Sequence, residues 1–299
     1  MGPQRLADLH PLWKKDLEKF GPWKRLARQA AEDTGLCGKL WQAGSKTGDC
    51  RVIICGACTS AMDVAWRLCE KGVLQPWDCV LAVSQEAGRG QHSRNWFSPA
   101  GNIYAAWRWP DADALANPEW QGLLPLLAGE LLAGYLPSED GRCIRIKWPN
   151  DILVDGRKIG GILLEQHRGK CVAGIGLNLA VHPADYMLRE DFSLPATSFC
   201  HEGIQTAPLS LWTDFAAFGR QKFYRILNCF TPAQWAEVFQ NRLAWLGERV
   251  LVQTGSGKPY HATIRGLAAD GALMLQCGGE TRSIYSGSIV PVSALAAKP

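Results

Sequence analysis

Hydrophobic and polar positions change period several times along the chain, and each change marks an element. RVIIC (51–55) is a short apolar run of the buried-strand kind, MDVAWRLCEKG (62–72) has helical spacing and stops at Gly72, and CVLAVSQ (79–85) is a second strand. GNIYAAWRW (101–109) predicts a strand, and PEWQGLLPLLAGELLAGYL (118–136) a long helix that starts or kinks at a proline. IRIKW (144–148) and DILV (151–154) are strands; Asp155-Gly156 suits a type I′ turn from which KIGGILLEQ (158–166) returns as a hairpin partner. CVAGIGLNLA (171–180) is a further strand, apolar and studded with glycine. LSLWTDFAAFGRQKFYRIL (209–227) and PAQWAEVFQNRLAWLG (232–247) predict two helices whose Trp and Phe residues, at helical spacing, belong to a core.

After Glu248 the texture changes to ERVLVQT, KPYHATIRGLA, GALMLQC and TRSIYSG, four or five short strands with glycine-rich turns. A small barrel of about 50 residues is expected there. Gly255-Ser256-Gly257-Lys258 is a hairpin turn rather than a nucleotide loop, because Pro259 forbids the helix that a phosphate loop needs. At the other end, HPLWKKDLEKFGPWKRLARQAAED (10–33) is basic and predicted helical, before Gly, Ser and Asp loosen the pattern. Gly44-Ser45-Lys46-Thr47 is expected to be a turn, since no strand precedes it. The chain therefore divides into a basic helical extension (1–50), a mixed α+β domain (51–246) and a C-terminal barrel (247–299).

Length and charge narrow the function classes. A chain of 299 residues, 47% hydrophobic and 20% charged, is large enough for about two domains with sizeable cores. The net charge of +4 is too small to imply nucleic acid, though it suits small anionic ligands. No run approaches the roughly 18 apolar residues of a membrane span, and the first 20 residues lack the apolar run of a signal peptide. Eleven scattered cysteines therefore point to reduced thiols and a cytoplasmic setting. Cys55 and Cys58 have CxxC spacing, but no second pair completes a tetrahedral metal set, so core packing is expected.

Two segments carry candidate chemistry. EAGRGQHSRNWFS (86–98) joins two strands and is longer than a hairpin needs. Its glycines let backbone amides approach an anion, and Arg89 and Arg94 can donate charge-assisted hydrogen bonds; a solvated connection is the alternative. In KWPNDILVDGRKIGGILLE (147–165), Lys147 ends an apolar strand just before a Pro149-Asn150-Asp151 turn, where an ammonium can neutralise a carboxylate or phosphate.

GRG followed by RNWFSP, then KWPNDILVDGRKIGGILLE, then GIGLNL, in this order, resembles the biotin protein ligases over residues 51 to about 295. The resemblance implies a mixed sheet flanked by helices, of the class II synthetase-like biotin/lipoate ligase type, followed by an SH3-like barrel. It further implies ATP-dependent conversion of biotin to biotinyl-5′-AMP, with Mg²⁺, and transfer to one lysine of an acceptor such as biotin carboxyl carrier protein. Lys147 and Arg89 are then the catalytic residues, set over the biotin carboxylate and the α-phosphate. Ser60, Gln85, Gly88, Gly174 and Gly176 join them as biotin-binding positions, the glycines through backbone donors. Arg94, Gln91, Trp96 and Asn178 fall to the nucleotide, Trp96 on the adenine side and Asn178 also to the metal. Asp151 braces Lys147 and its turn rather than acting as a base. Ser60 doubles as a helix N-cap, Trp96 has the alternative of anchoring its loop to the core, and His92 is expected in solvent.

Departures are as informative. The family loop usually reads GRGRRGR-W; here Gln91 stands in place of an arginine, His92 of another basic residue and Ser93 of a glycine, and Ala61 replaces a threonine. A lipoate or octanoate ligase, or a degenerate regulator that only binds biotinyl-adenylate, are the competing functions. Residues 1–50 lack the strand pair of a winged-helix domain, so no nucleic-acid or membrane partner is expected; a homodimer is compatible with the architecture.

Overall fold

The computed structural model describes residues 11–20, 22–26, 40–42, 50–91, 94–111, 115, 117–136, 142–187 and 192–296. In chain order the elements are α1 (Pro11–Lys19), β1 (Lys24–Arg25), β2 (Trp41–Gln42), β3 (Val52–Cys58), α2 (Ala61–Glu70), β4 (Cys79–Gln85) and β5 (Ile103–Trp109). There follow α3 (Leu124–Tyr135), β6 (Ile144–Lys147), β7 (Asp151–Val154), β8 (Arg157–His167), β9 (Lys170–Leu177), α4 (Pro208–Cys229) and α5 (Pro232–Phe239). The last are β10 (Arg249–Gln253), β11 (Tyr260–Leu267), β12 (Leu273–Cys277), β13 (Glu280–Ile284), β14 (Ser288–Pro291) and α6 (Val292–Ala296). Contacts group them into two units, one of Met1–Ala116, Ile159–Pro183 and Thr197–Gln221, the other of Asn117–Lys158, Ala184–Ala196 and Lys222–Pro299.

The first unit holds a mixed sheet in the order β1-β2-β3-β4-β5-β9-β8. Only β3 and β4 run parallel, because α2 makes the crossover between them; the other neighbours are antiparallel. All seven residues of β5 are buried, as in a strand covered on both faces, and the one charged residue among them, Arg108, donates to the Leu74 carbonyl and to Asp111. Trp107 of β5 packs against Trp77, Trp212 and Phe215 with ring centroids 5.1, 5.8 and 5.5 Å away. Helix α4 comes close enough that a Cβ on Gly219 would lie 2.9 Å from the Trp107 ring. On the other side α2 buries Met62, Val64 and Leu68. Cys55 and Cys58 are buried too, their thiols directed at the Leu81 and Ser84 carbonyls, which is the core packing expected of them.

Helix α1 docks on this unit through buried Trp13, Leu17 and Phe20. Between them Asp16, 2% exposed, caps α4: Oδ2 accepts from the backbone N–H groups of Leu209 and Ser210 at 2.7 and 3.2 Å, and Oδ1 from the Ser210 hydroxyl at 2.6 Å. The first amides of a helix have no partner within it, and a carboxylate there also meets the favourable end of the helix dipole. Asp16→Ala is therefore expected to destabilise the fold by about 1–2 kcal/mol. An unshifted urea midpoint in that variant would show that α4 needs no cap from α1. The helical expectation for residues 10–33 is corrected at Lys24–Arg25, which pairs with Trp41–Gln42, which in turn extends β3; residues 27–33 lie outside the described residues. Gly44 to Thr47 and His92 lie outside the described residues.

In the second unit, β6 and β7 form a hairpin in which Lys147 stands opposite Asp151. The Trp148–Pro149 peptide in its turn is cis, and the Trp148 indole donates to the Gly271 carbonyl at 3.1 Å. The proline of the predicted 118–136 helix marks a start: Pro118–Leu123 is 3-10 helix, and α3 proper begins at Leu124 with Pro125 in its first turn. Helix α5 opens with a capping box between Thr231 and Gln234. It ends at Phe239, short of the predicted Gly247. After one 3-10 turn the Ala244 amide donates to the Ile146 carbonyl at 2.9 Å, so the chain there extends alongside β6 rather than coiling. Strands β10 to β14 form an antiparallel sheet in the order β13-β12-β11-β10-β14. Val250, Val252, Ile264, Leu273, Leu275 and Ile289 make its buried face, and a register shift between Ile264 and Gly266, φ +148°, marks a bulge in this antiparallel sheet, which occupies the region where the alternation predicts a small barrel. Asp155 and Gly156 both have positive φ, +48° and +80°, as a type I′ turn requires.

Candidate functional site

The site in the first unit grows from the junction of β4 with α2. Ser60 is the N-cap of α2, its hydroxyl accepting from the Met62 amide at 3.3 Å. The next amide, Ala61, donates to Gln85 Oε1 at 2.8 Å, which fastens the last residue of β4 to the helix start. Gln85 Nε2 donates to the Ser98 hydroxyl at 2.9 Å, and that hydroxyl to the Trp96 carbonyl at 2.9 Å. The glycine-rich connection is thus closed at its base. A Cβ at Gly88 would come within 2.5 Å of Ser98 Oγ and 2.8 Å of Gln85 Nε2, so only glycine fits.

Beyond Gly88 the connection doubles back on itself. Arg89 bridges Asn95, the Gly90 amide donates to the Arg94 carbonyl at 2.7 Å, and the Arg94 amide to that of Gln91 at 3.2 Å. Arg89 pairs with Asp63 of α2 at 2.6 Å and, more loosely, with Glu165 of β8 at 3.7 Å. Glu165 in turn accepts the Trp66 indole N–H at 2.7 Å, and Asp63 the Thr59 hydroxyl at 3.3 Å. Neither carboxylate is distinguishable in the sequence: Asp63 reads as a first-turn acid and Glu165 as an ordinary strand residue.

Trp96 folds back onto β9, where a Cβ at Gly176 would meet its indole at 2.6 Å. It also packs against the core around Met62, so it anchors the loop. Gly174 leaves room for Met62 in the same way, 2.9 Å from the sulfur. Strand β9 has β5 on one side and β8 on the other, with Gly174 opposite Ala106 and Leu163, and Gly176 opposite Tyr104 and Gly161. Its backbone groups are consequently spent in two ladders. The backbone-donor role expected of these glycines meets amides already committed to the sheet, and the space above the sheet there is taken by Met62 and Trp96. Just past β9, Asn178 is 3% exposed, and its side-chain N–H donates to the Thr197 carbonyl at 3.0 Å. Asn102, fully buried, holds the following turn by accepting from the amides of Leu179, Ala180 and Val181 at 2.9, 3.0 and 3.2 Å. Nothing in its sequence setting singles it out.

Lys147 belongs to the second unit, where it is 8% exposed and 3.3 Å from Asp151. Lys158 closes on the other carboxylate oxygen at 2.6 Å. Sequence reasoning passed over Lys158; strand alternation after the Asp155-Gly156 turn was the available signal. Burial alone would raise the Asp151 pKa, but Lys158 first and Lys147 second outweigh it and hold the carboxyl below its ordinary value. An acid whose folded pKa is depressed contributes stability that is complete above its unfolded pKa, about 3.9, and lost as pH falls through the folded value. Urea midpoints of the wild type and Asp151→Asn are expected to converge as pH drops below that range. A constant gap down to the most acid point would contradict the coupling.

The first unit therefore holds Ser60, Gln85, Gly88, Arg89, Gln91, Arg94, Trp96, Gly174, Gly176 and Asn178, while Lys147 stands with Asp151 and Lys158 in the second. No group of three His, Cys, Asp or Glu side chains among the described residues could hold a metal alone. Mg²⁺ that arrives with a nucleotide needs only one or two protein oxygens. Asn178 is 3% exposed with its side-chain nitrogen on the Thr197 carbonyl, so only its amide oxygen is left for such a role.

The mixed sheet with its closed glycine-arginine loop, the Lys147 hairpin and the C-terminal antiparallel sheet are those of the biotin/lipoate class of protein ligases. Residues 56–181 match the Biotin/lipoate A/B protein ligase family, and residues 245–290 the Biotin protein ligase C terminal domain. The biotin--[acetyl-CoA-carboxylase] ligase of Paracoccus denitrificans is 32% identical over 203 residues, 66% of this chain and 83% of that protein. The bifunctional ligase/repressor BirA of Escherichia coli is 36% identical over 118 residues, 37% of this chain and 35% of that protein. Among solved structures, biotin protein ligase from Aquifex aeolicus in complex with biotin and ATP shares the fold at a TM-score of 0.65. It is 21% identical, with 80% of this chain and 97% of that one covered. The Leishmania major enzyme in complex with biotinyl-5-AMP is 26% identical at a TM-score of 0.52, covering 76% and 96%. The chain belongs to the biotin protein ligase family.

Proposed function

We propose that the chain joins biotin to ATP and passes the activated biotin to a lysine of an acceptor domain. In the first step a biotin carboxylate oxygen bonds to the α-phosphorus as the bond to the pyrophosphate oxygen breaks, leaving biotinyl-5′-AMP. In the second, the neutral amine of the acceptor lysine attacks the acyl carbon, and AMP leaves with the electrons of the mixed anhydride bond. Two anions must meet in the first step, so the protein's task is neutralisation and alignment rather than nucleophilic attack.

The observation that carries this proposal is the Lys147–Asp151–Lys158 set, in which two lysine ammonium groups converge on one buried carboxylate. Lys147 supplies its charge to the biotin carboxylate and α-phosphate, with Lys158 beside it as a second cation; the family resemblance assigns Arg89 to the same ligand groups. Ser60 and Gln85 recognise the biotin ring at the start of α2, with Gly88, Gly174 and Gly176 as its backbone positions. Arg94 and Gln91 face the triphosphate, and Trp96 the adenine side. Mg²⁺ bound with the triphosphate would add charge neutralisation, held through Asn178.

The extension 1–50, catalytic domain 51–246 and barrel 247–299 are the functional divisions. Biotin carboxyl carrier protein, or the matching domain of another biotin-dependent carboxylase, is the acceptor. The setting is cytoplasmic. In support, no disulfide forms among the described cysteines, and no described helix is long and apolar enough to cross a membrane. ATP–pyrophosphate exchange run separately with biotin, lipoate and octanoate tests the assignment. Exchange with biotin alone is expected. Exchange with lipoate or octanoate in preference would move the chain to another acyl acid, and none with any of the three would make it a binding protein.

A further inference from the structure

We infer that Asp63 and Glu165 are positioning residues for Arg89, holding its guanidinium in place before substrate arrives. The inference rests on the role proposed above for Arg89. An arginine on a glycine-flanked loop has many rotamers, and ordering it only on binding would weaken each ligand contact it makes. Preorganisation removes that cost from the binding step.

The geometry supplies it from two elements. Asp63 lies one turn into α2, three residues after Ser60, and takes one guanidinium nitrogen at 2.6 Å. Glu165 of β8 stands 3.7 Å from a second nitrogen, near enough to bias its orientation without a hydrogen bond. Both carboxylates are themselves fixed, Asp63 by the Thr59 hydroxyl and Glu165 by the Trp66 indole at 2.7 Å. A guanidinium has five N–H donors in a rigid fork, so one short bond to Asp63 leaves others to offer an anion. The Arg89–Asn95 backbone bridge fixes the main chain beneath it. Asp63 also ties the loop to the helix whose first residues are read as recognising biotin, so loop and ring pocket share one support.

The test is a double-mutant cycle in biotin-dependent ATP–pyrophosphate exchange on the full chain. Asp63→Asn, nearly isosteric, is expected to lower kcat by about tenfold, as misplacing a catalytic group does. KM for ATP should stay within about twofold, since ground-state nucleotide binding is untouched. Glu165→Gln is expected to act in the same direction and more weakly. In an Arg89→Ala background, Asp63→Asn should cost nothing further, because the group it positions is gone. A purely structural role in α2 would give the same loss in both backgrounds and would overturn the inference; a full kcat in Asp63→Asn alone would do so too. If Arg89→Ala itself keeps wild-type exchange, the role proposed for Arg89 fails and the positioning inference with it. An impaired Arg89→Ala beside a normal Asp63→Asn removes the positioning inference alone. Circular dichroism melts of each variant identify any loss that comes from unfolding.

Discussion

Lys147→Ala is expected to lower biotin-dependent ATP–pyrophosphate exchange by about 100- to 1,000-fold, the usual cost of removing one preorganised charge donor from a reacting centre. The fold is expected to survive. Asp151, the carboxylate that Lys147 faces, keeps its shorter pair to Lys158 at 2.6 Å, so no uncompensated charge is left buried. Wild-type exchange in this variant would remove Lys147 from the site. Because Lys158 shares the same carboxylate, Lys158→Ala is the informative companion. A far larger loss there than in Lys147→Ala would transfer the principal role to the lysine that sequence reasoning overlooked.

The second large effect concerns what happens to the activated biotin. Gln91 stands where the family loop usually carries an arginine, and its amide offers hydrogen bonds but no charge. A missing charge-assisted contact costs about 1.5–3 kcal/mol, roughly 10- to 150-fold in retention of a phosphate-bearing intermediate. Incubated with biotin, ATP and an unrelated lysine-rich protein, the enzyme is expected to biotinylate bystander lysines. Gln91→Arg should suppress that labelling about tenfold or more while leaving transfer to the acceptor domain intact. No biotin on the bystander from the wild-type chain would mean that Trp96, packed on Gly176, and the closed base of the loop retain the adenylate without that charge.

Much of the fold was legible because hydrophobic period and turn chemistry are local. CVLAVSQ became β4 residue for residue, Gly72 closed α2 at positive φ, and Asp155-Gly156 adopted the turn its composition demands. The failures share a cause. Lys24–Arg25 left the predicted helix for a sheet edge, and α5 stopped eight residues early because the Ile146 carbonyl accepts the Ala244 amide; both partners are distant in sequence.

Sequence by itself determined the strand and helix runs, the barrel, the glycine-arginine loop, the Lys147 hairpin and the family they resemble. These follow from residue type and spacing, which chain geometry converts directly into period and turn. Only the tertiary structure decided which charges face one another: Asp63 and Glu165 on Arg89, Lys158 beside Lys147 on Asp151, and Asp16 on the start of α4. It also placed Met62 and Trp96 over Gly174 and Gly176, in a strand paired on both sides. Charge pairing and hydrogen-bond satisfaction depend on distances of a few ångströms between residues far apart in the chain. Those distances exist only once the sheet has brought its strands together.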